Sequence, residues 1–483
     1  MATYASLHNH TCYSNVKLID SINTVEGLMD YAYELGLPAV ALTDHECLTA
    51  HIRAIKYHKK KYADKNLKLI LGNEIYITRE DLCKETHQAG EKFYHCILLA
   101  KDAEGHKQLR ELSSRAWERS YMMFIMRTPT YLSDLEEIVG ANPGHLICTT
   151  ACLGSMPGVW FQNGRVDKIP QYLEWMKELF GDDFYIELQP SDNADQIRYN
   201  KWMIEHYWDD YNFIVATDSH YLKKEERQLH KDFLQSKDGG DNREVDEFYS
   251  GAYMMSPGEI LQYMQEYIEY EKIETMFNNT LLIANKCSCE YDLFHNQIVP
   301  RIQYEWSNRD AEAYEALRDS IDPEKYPNVY RYFSNDASDS DMYLAYLIAE
   351  GYYSGKIDPS EEYIARLDEE LYHIYNISIK KEQPLSDYFN TMARIMEVVW
   401  NEGDSIVGPG RGSGCGSLVN YLVGITQLDP LRQELKMPFW RFMHESKIEL
   451  PDIDFDTEAA KRTKIFNAVS RYFNSINSEV INV

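Results

Sequence analysis

The sequence has no apolar run near the roughly 18 residues that a membrane-spanning helix needs. Its first residues, Met-Ala-Thr-Tyr-Ala-Ser, lack the basic and apolar regions of a secretory leader. Action in the cytoplasm, with no membrane partner, is therefore expected. Basic residues are scarce: 49 Lys and Arg stand against 77 Asp and Glu, a formal net charge of −28. This excludes the chain as a whole as a non-specific nucleic-acid binder, because such binding rests on basic neutralisation of phosphates. Any contact with nucleic acid has to be made at a metal site or with a basic partner. Cysteines number 9, an odd count. A chain this long buries a core without covalent staples, so no disulfide framework is expected. Internal repeats and low-complexity tracts are absent too.

What is present is an ordinary globular composition, 44% hydrophobic and 26% charged, over 483 residues. That length exceeds one core and suggests two to four domains. Histidine is uneven, with 11 of 15 before residue 221. The same stretch has a rhythm of short apolar segments: 5–10, 39–44, 68–77, 93–100, 145–151, 184–189 and 212–221. Helical patterns separate most of them. In the first, Asn23 with Glu26 reads as a capping box, Val25, Leu28, Met29 and Ala32 follow at helical spacing, and Gly36 can end the helix. Strands alternating with helices predict a parallel sheet. Seven such units predict a closed or nearly closed β/α barrel. Residues 221–300 read as mainly helical. Residues 303–340, polar and acidic with Pro323 and Pro327, read as a linker or irregular connection. Helical patterns resume at 340–350, 360–375 and 385–401.

The strand ends carry metal-ligand chemistry. The first ends in His8-Asn9-His10, and alternation along a strand puts both imidazoles on one face. The second ends in Thr43-Asp44-His45. The third carries Glu74, the fourth His95, and the loop after the fifth Cys152. The seventh ends in Thr217-Asp218-Ser219-His220, again at i and i+2. In a β/α barrel the C-terminal strand ends converge on one mouth, so these residues collect without unusual loop paths. Nitrogen, carboxylate and thiolate donors suit zinc, manganese or iron, not calcium. Eight or nine ligands exceed one ion, so two or three ions sharing carboxylates are expected. Such a cluster suits phosphodiester hydrolysis. Cys287-Ser288-Cys289 lacks a second pair and reads as buried or surface thiols. His51, His58, His87, His106 and His206 read as solvated surface or loop residues.

Residues 408–417 read Gly-Pro-Gly-Arg-Gly-Ser-Gly-Cys-Gly-Ser before an apolar helical run. Glycines let backbone amides approach phosphate, a helix N-terminus adds positive potential, and Arg411 can grip phosphate oxygens. Downstream, Leu-Pro-Asp-Ile-Asp-Phe-Asp occupies 450–456. Asp452 and Asp454 would share one face of a strand, with Asp456 continuing it. Two such carboxylates hold two Mg²⁺ for nucleotidyl transfer. Loop and carboxylates together suggest triphosphate binding followed by metal binding.

At this point a resemblance emerges. Gly408 to Leu422, Gly424-Ile-Thr-Gln-Leu-Asp-Pro430 and Leu450-Pro-Asp-Ile-Asp-Phe455 resemble the palm of the bacterial C-family polymerases, the DNA polymerase III alpha subunits. Arg366-Leu-Asp-Glu-Glu-Leu371 looks like that family's palm helix. Leu7-His-Asn-His10, Leu42-Thr-Asp-His45, Cys152-Leu-Gly154 and Ala216-Thr-Asp-Ser-His-Tyr221 resemble its N-terminal PHP (polymerase and histidinol phosphatase) domain. The fold implied is α/β: a PHP-type (β/α)7 barrel followed by a mixed α+β nucleotidyltransferase palm, polymerase beta-like and incomplete at its C-terminus. The domains implied are PHP over 1–285, the first part of the palm over 286–460, and the start of a truncated thumb over 461–483.

The resemblance implies metal ligands at His8, His10, His45, Glu74, His95, Cys152, Asp218 and His220. The family's ninth ligand falls at Lys17 in this sequence, and Asp20, three residues on, is the candidate replacement. Two to three Zn²⁺ or Mn²⁺ ions and a 3′→5′ exonuclease activity are implied there. In the palm, Asp452 and Asp454 are implied catalytic ligands of Mg²⁺, with Arg411, Gly412 and Ser413 on the phosphates of the incoming nucleotide. The implied partners are DNA primer–template, dNTP and other replisome proteins. The family's third catalytic carboxylate, most of the thumb, and the fingers lie downstream of the last residue here. The expectation is that this chain alone does not extend a primer and is completed by a second polymerase chain or is a truncation; a split gene would suit a phage. A stand-alone PHP phosphoesterase and a non-catalytic scaffold are the competing readings. A family-X polymerase is disfavoured because it carries these modules in the reverse order.

Overall fold

The computed structural model describes residues 3–16, 19–78, 93–122, 126–236, 247–288, 298–357, 359–432, 436–447 and 449–476. Lys17, His87 and Cys289 lie outside them. The chain divides into two compact units, Met1–Leu293 and Phe294–Val483.

The first unit is built on a curled sheet. Its principal strands are β1 (Ala39–Leu42), β2 (Lys68–Thr78), β3 (Tyr94–Ala100), β4 (Leu146–Thr149), β5 (Phe184–Leu188) and β6 (Asn212–Val215), hydrogen-bonded in that order. Residues 5–10 form two single bridges rather than a strand, Ser6 with Val40 and Asn9 with Ser219. These bridges join the first edge of the sheet to the chain just past its last strand, which completes the seven-segment ring.

The sheet is not wholly parallel. β1–β2, β4–β5 and β5–β6 pair in parallel, whereas β3 runs antiparallel to both β2 and β4. A parallel neighbour needs a crossover, usually a helix, and no helix is described between β2 and β3. Strand reversal has a direct consequence: His95 stands at the beginning of β3, not its end, and that beginning lies on the rim where the other strands finish.

Side-chain alternation sorts the strands into two apolar layers. Val40, Leu42, Cys96, Leu98 and Ile186 face the surrounding helices. Ala39, Ala41, Ile70, Ile97, Leu99, Ile147, Tyr185 and Ile214 form an inner cluster, together with Ile283, Ala284 and Cys287 from the end of the Tyr270–Lys286 helix. The inward parity of Ile70, Ile97 and Tyr185 continues to Glu74, His95 and Glu187. The barrel interior is thus apolar at one end and rich in candidate ligands at the other.

The first helix, Val25–Glu34, is capped by Thr24, whose hydroxyl accepts the Gly27 amide at 3.0 Å. The expected cap, Asn23, is buried and donates instead to the His10 and Ser219 carbonyls at 3.0 and 3.2 Å. It ties together two segments that carry candidate ligands.

The second unit is mainly helical. Asp339–Tyr353, Glu361–Lys381 and Ser386–Asn401 match the periodic stretches. The stretch read as a linker holds two further helices, Ala311–Ser320 and Pro327–Tyr332. Asp310 caps the first and Pro327 starts the second, while Tyr314, Leu317, Val329 and Tyr332 enter the core. Acidic caps and a leading proline made these short helices look like a connection. Among the described residues of this unit the one strand-type pairing is Val407 with Thr457.

Candidate metal centre and palm site

The rim of the barrel gathers its ligands from segments far apart in sequence. Three overlapping sets each bring their ligand atoms within 4.8 Å of one another: His10, His45 and His220; His8, His10, Glu74 and Asp218; Glu74, His95 and Cys152. Glu74 and His10 each belong to two sets, as bridging or neighbouring ligands do. Asp20, in no set, is buried and its Oδ2 lies 2.6 Å from His45 Nε2 and 2.9 Å from His220 Nε2. The structure thus brings Asp20 to the edge of the first set; the alternative position, Lys17, is outside the described residues.

Asp218 and His220 do not reach the rim by strand alternation. β6 ends at Val215, and Asp218 adopts a left-handed φ of +47°. Cys152 likewise follows a left-handed residue, Ala151 at φ +57°. These turns, which no periodicity announces, aim the side chains inward. Left-handed backbone is strained for residues with a Cβ, and such strain gathers at functional sites.

Hydrogen bonds fix which imidazole nitrogen faces the centre. His8 Nδ1 donates to Glu187 Oε1 at 2.6 Å, leaving Nε2 turned to Glu74 Oε2 and Asp218 Oδ1, each at 3.1 Å. Ser14 Oγ donates to Asp44 Oδ1 at 2.8 Å, so it accepts from His10 Nδ1 at 3.1 Å, and His10 Nε2 faces Glu74 and Asp218 at 3.0 Å. His220 Nδ1 donates to the Asp218 carbonyl at 2.8 Å. Metal-binding histidines are oriented in this way by the groups behind them. Asp44 therefore serves as a support. Glu187 also stands behind the candidate ligands; no motif in the sequence marks it, and its inward parity with Tyr185 is the one signal that points to it.

The electrostatics favour a cation. Burial alone would raise the Glu74 carboxyl, but His45 and His95 hold it well below the usual range. Burial opposes ionisation of Asp218 and Asp20 as well, and the surrounding imidazoles outweigh it. Burial, with Asp218 and Glu74 nearby, pushes the Cys152 thiol well up. His45 Nδ1, Glu74 Oε1 and Asp218 Oδ1 are buried and make no hydrogen bond, although other ligand atoms lie within ion-pair distance. Buried nitrogen and oxygen atoms that converge on one another in this way fit divalent cations, and the N, O and S donor set fits zinc or manganese.

Other histidines depart from expectation. His51 and His106 are buried and face each other, Nδ1 to Nε2, at 3.0 Å; His51 Nε2 donates to the Gly72 carbonyl at 3.0 Å. They are buried with the Gly72 carbonyl as the acceptor that satisfies His51. Among the thiols, Cys287 is buried.

In the second unit, Asp452, Asp454 and Asp456 are exposed while Pro451 and Ile453 are buried. The alternation expected of the segment is present, although no ladder runs through the first two carboxylates. The Gly408 amide donates to the Asp456 carbonyl at 2.8 Å, which sets the glycine loop beside the acidic segment. Gly412 has φ +62°, and a Cβ there would lie 3.6 Å from Asp454 Oδ2. Arg411 and Ser413 are exposed next to it, and Arg411 Nη1 lies 3.2 Å from Asp456 Oδ1.

The helix after the loop differs from the sequence reading. It is short, Leu418–Leu422, and its first amides are already taken. Buried Glu370 accepts from Leu418 N at 2.7 Å, Val419 N at 2.9 Å and Ser417 Oγ at 2.8 Å. Arg366 completes the clamp, donating to Glu370 at 2.7 Å and to the Gly416 carbonyl at 2.5 Å. A carboxylate therefore occupies the place where a phosphate would have met the helix N-terminus.

Comparison with known proteins accords with this division. The PHP domain family model matches residues 6–191, and the model for the bacterial DNA polymerase III alpha NTPase domain matches residues 342–483. A protein of Bacillus subtilis named probable DNA polymerase YorL is 38% identical over 96% of this chain, and the DNA polymerase III subunit alpha of Aquifex aeolicus is 28% identical over 98%. The chain spans only 37% and 38% of the lengths of these two relatives. A putative metal-dependent phosphoesterase from Bifidobacterium adolescentis aligns over 56% of this chain and 99% of its own at 13% identity, with a TM-score of 0.32, too slight to argue from. The chain joins a PHP domain to a region of the bacterial DNA polymerase III alpha type.

Proposed function

We propose that the chain is the N-terminal part of a replicative DNA-directed DNA polymerase whose PHP centre is a 3′→5′ exonuclease. The observation that carries the exonuclease reading is the overlap of three ligand sets on one rim, eight side chains in all. His8, His10, His45, Glu74, His95, Cys152, Asp218 and His220, with Asp20 beside His45 and His220, would hold two to three zinc or manganese ions. When bound, those ions supply Lewis acidity at a phosphodiester. The side chains contribute fixed lone pairs, a buried setting and carboxylates kept ionised by neighbouring imidazoles. A chain with charge −28 has little basic surface for a DNA backbone, so the bound cations would also offset its repulsion of phosphate.

For polymerisation, Asp452 and Asp454 would hold Mg²⁺, with Arg411, Gly412 and Ser413 on the nucleotide phosphates. The closeness of Gly412 to Asp454 supports that reading. Primer–template DNA and dNTP are the proposed substrates, within a replisome and in the cytoplasm. A further carboxylate, thumb and fingers are assigned to polypeptide outside these 483 residues, whether on the same chain or on a second polymerase chain.

The test is a gel assay with a 5′-labelled primer–template and Mn²⁺, with and without dNTPs. Shortening that His10→Ala abolishes and Asp454→Asn leaves intact is expected. Shortening that persists in His10→Ala, or none at all, sinks the exonuclease reading and favours a scaffold. Extension by this chain alone, lost in Asp454→Asn, overturns the need for further polypeptide.

A further inference from the structure

We propose that Glu187 is a positioning residue: it presents His8 Nε2 to the cation shared by His8, His10, Glu74 and Asp218, and makes that position the tightest of the three. The inference rests on the reading of the rim as a metal centre.

Glu187 is only 1% exposed and both its oxygens are held. Oε1 accepts from His8 Nδ1 at 2.6 Å and Oε2 accepts from Thr149 Oγ1 at 2.6 Å. Its own amide donates to Thr150 Oγ1 at 3.0 Å, which pins the backbone beneath it. An ionised carboxylate only accepts, so Nδ1 carries the hydrogen of that bond, and Nε2 is the nitrogen turned into the cluster to meet a cation. There it meets Glu74 and Asp218 oxygens at 3.1 Å and His10 Nε2 at 3.1 Å. Glu187 itself belongs to none of the three ligand sets.

Among the described residues, the other ligand histidines have no carboxylate partner outside the candidate ligands, among which Asp20 is counted. His10 Nδ1 donates to a neutral hydroxyl and His220 Nδ1 to a carbonyl. His45 turns both nitrogens to Glu74 and Asp20, within the cluster. His95 points Nδ1 to Glu74 and Cys152, and among the described residues no carboxylate stands behind its ring, which is 26% exposed. A negative acceptor behind an imidazole strengthens it as a donor and fixes its orientation before any cation arrives. Partners of this kind are worth about 10–100-fold in metal affinity. The His8 position has that advantage, and the His95–Cys152 position does not.

The experiment uses the full chain, stripped of metal and titrated with Zn²⁺ against a chromogenic chelator, and separately with Co²⁺. A cobalt–thiolate absorption band reports the Cys152 position by itself. Glu187→Gln is expected to weaken the tightest step about tenfold and Glu187→Leu about a hundredfold. Thr149→Val, which frees only one carboxylate oxygen, should weaken it by less than Glu187→Gln. The cobalt–thiolate band should keep its intensity and midpoint throughout. Should Glu187→Leu fail to fold, the Gln and Val variants decide. Unchanged binding in both overturns the proposal. An equal loss at every step, thiolate band included, also overturns it, because that is what a merely structural residue would give. A wild-type chain that takes up no cation overturns the metal-centre reading beneath it.

Discussion

Leu418 gives its amide hydrogen to the Glu370 carboxylate at 2.7 Å, so the helix after the glycine loop starts on an acid from another helix. Arg366 joins that carboxylate to the Gly416 carbonyl, which makes the pair a clamp on the loop. Burial raises the Glu370 carboxyl, with Arg366 opposing. The loop's shape therefore depends on a pair that has to be kept whole.

Glu370→Ala should cost about 3 kcal/mol or more, because the buried Leu418 and Val419 amides lose their acceptor and half-buried Arg366 loses its carboxylate. Ser417→Ala, which removes one capping hydroxyl, should cost about 0.5–2 kcal/mol. Denaturant unfolding of the full chain measures both. Similar costs for the two variants would mean that the acid is no more than a helix cap.

Asp218 provides a test that separates backbone from charge. Asparagine tolerates the left-handed φ of +47°, so with chelator present Asp218→Asn should keep the backbone unstrained and lose only the charge pairing with His8 and His10 in thermal unfolding. It should lose most of the stabilisation that Zn²⁺ or Mn²⁺ confers, about 2.7 kcal/mol in the wild type at a hundred times the dissociation constant. Asp218→Val should be weaker by a further 1–2 kcal/mol or so even in chelator, from backbone strain. Full cation stabilisation in Asp218→Asn would remove Asp218 from the ligands.

The His51–His106 pair predicts an acid-side loss of stability. Burial, with His106 nearby, pushes His51 down to about 3, and burial with Arg110 nearby pushes His106 down to about 4, from an ordinary 6.5. Below pH 6.5 the unfolded chain takes up protons that the folded chain refuses. Their contribution is thus complete above 6.5 and falls as pH drops toward 4, then 3, by up to about 1.4 kcal/mol per pH unit for each group. The double variant His51→Gln/His106→Gln should have a shallower fall between pH 6.5 and 4 in denaturant midpoints. An unchanged slope would show that both rings are protonated in the folded chain.

Gly410 has φ +142°, and a Cβ there would lie 2.6 Å from Cys415 Sγ. Gly410→Ala should destabilise the chain by roughly 1–2 kcal/mol through strain alone, with the clash added. Gly410→Ala/Cys415→Ala should recover the clash but not the strain. Thermal unfolding of the two variants distinguishes these contributions, and no recovery would mean that the sulfur is not what obstructs the Cβ.

Several parts of this protein could be read before folding. His-x-His, Thr-Asp-His and Asp-Ser-His mark segment ends because their residue types are rare together and the apolar runs before them are plain. The three long helices of the second unit were legible from periodicity, since each buries one face. Harder to read were helices 311–320 and 327–332, whose caps and proline resemble a loop, and the partner of Asn23, which leaves its expected cap to bind two carbonyls.

The sequence by itself determined which side chains are donors, which segments are apolar enough to be buried, and that a glycine loop precedes alternating carboxylates. Those properties belong to residue chemistry and to periods of two and 3.6. Only the tertiary structure decided which donors share a position. His95 reaches Glu74 because β3 runs backwards, Asp218 reaches His8 through a left-handed turn, and Glu187 supports His8 across 179 residues of chain. Strand direction, register and turn conformation set distances between ligand atoms, and a metal centre is defined by those distances rather than by spacing along the chain.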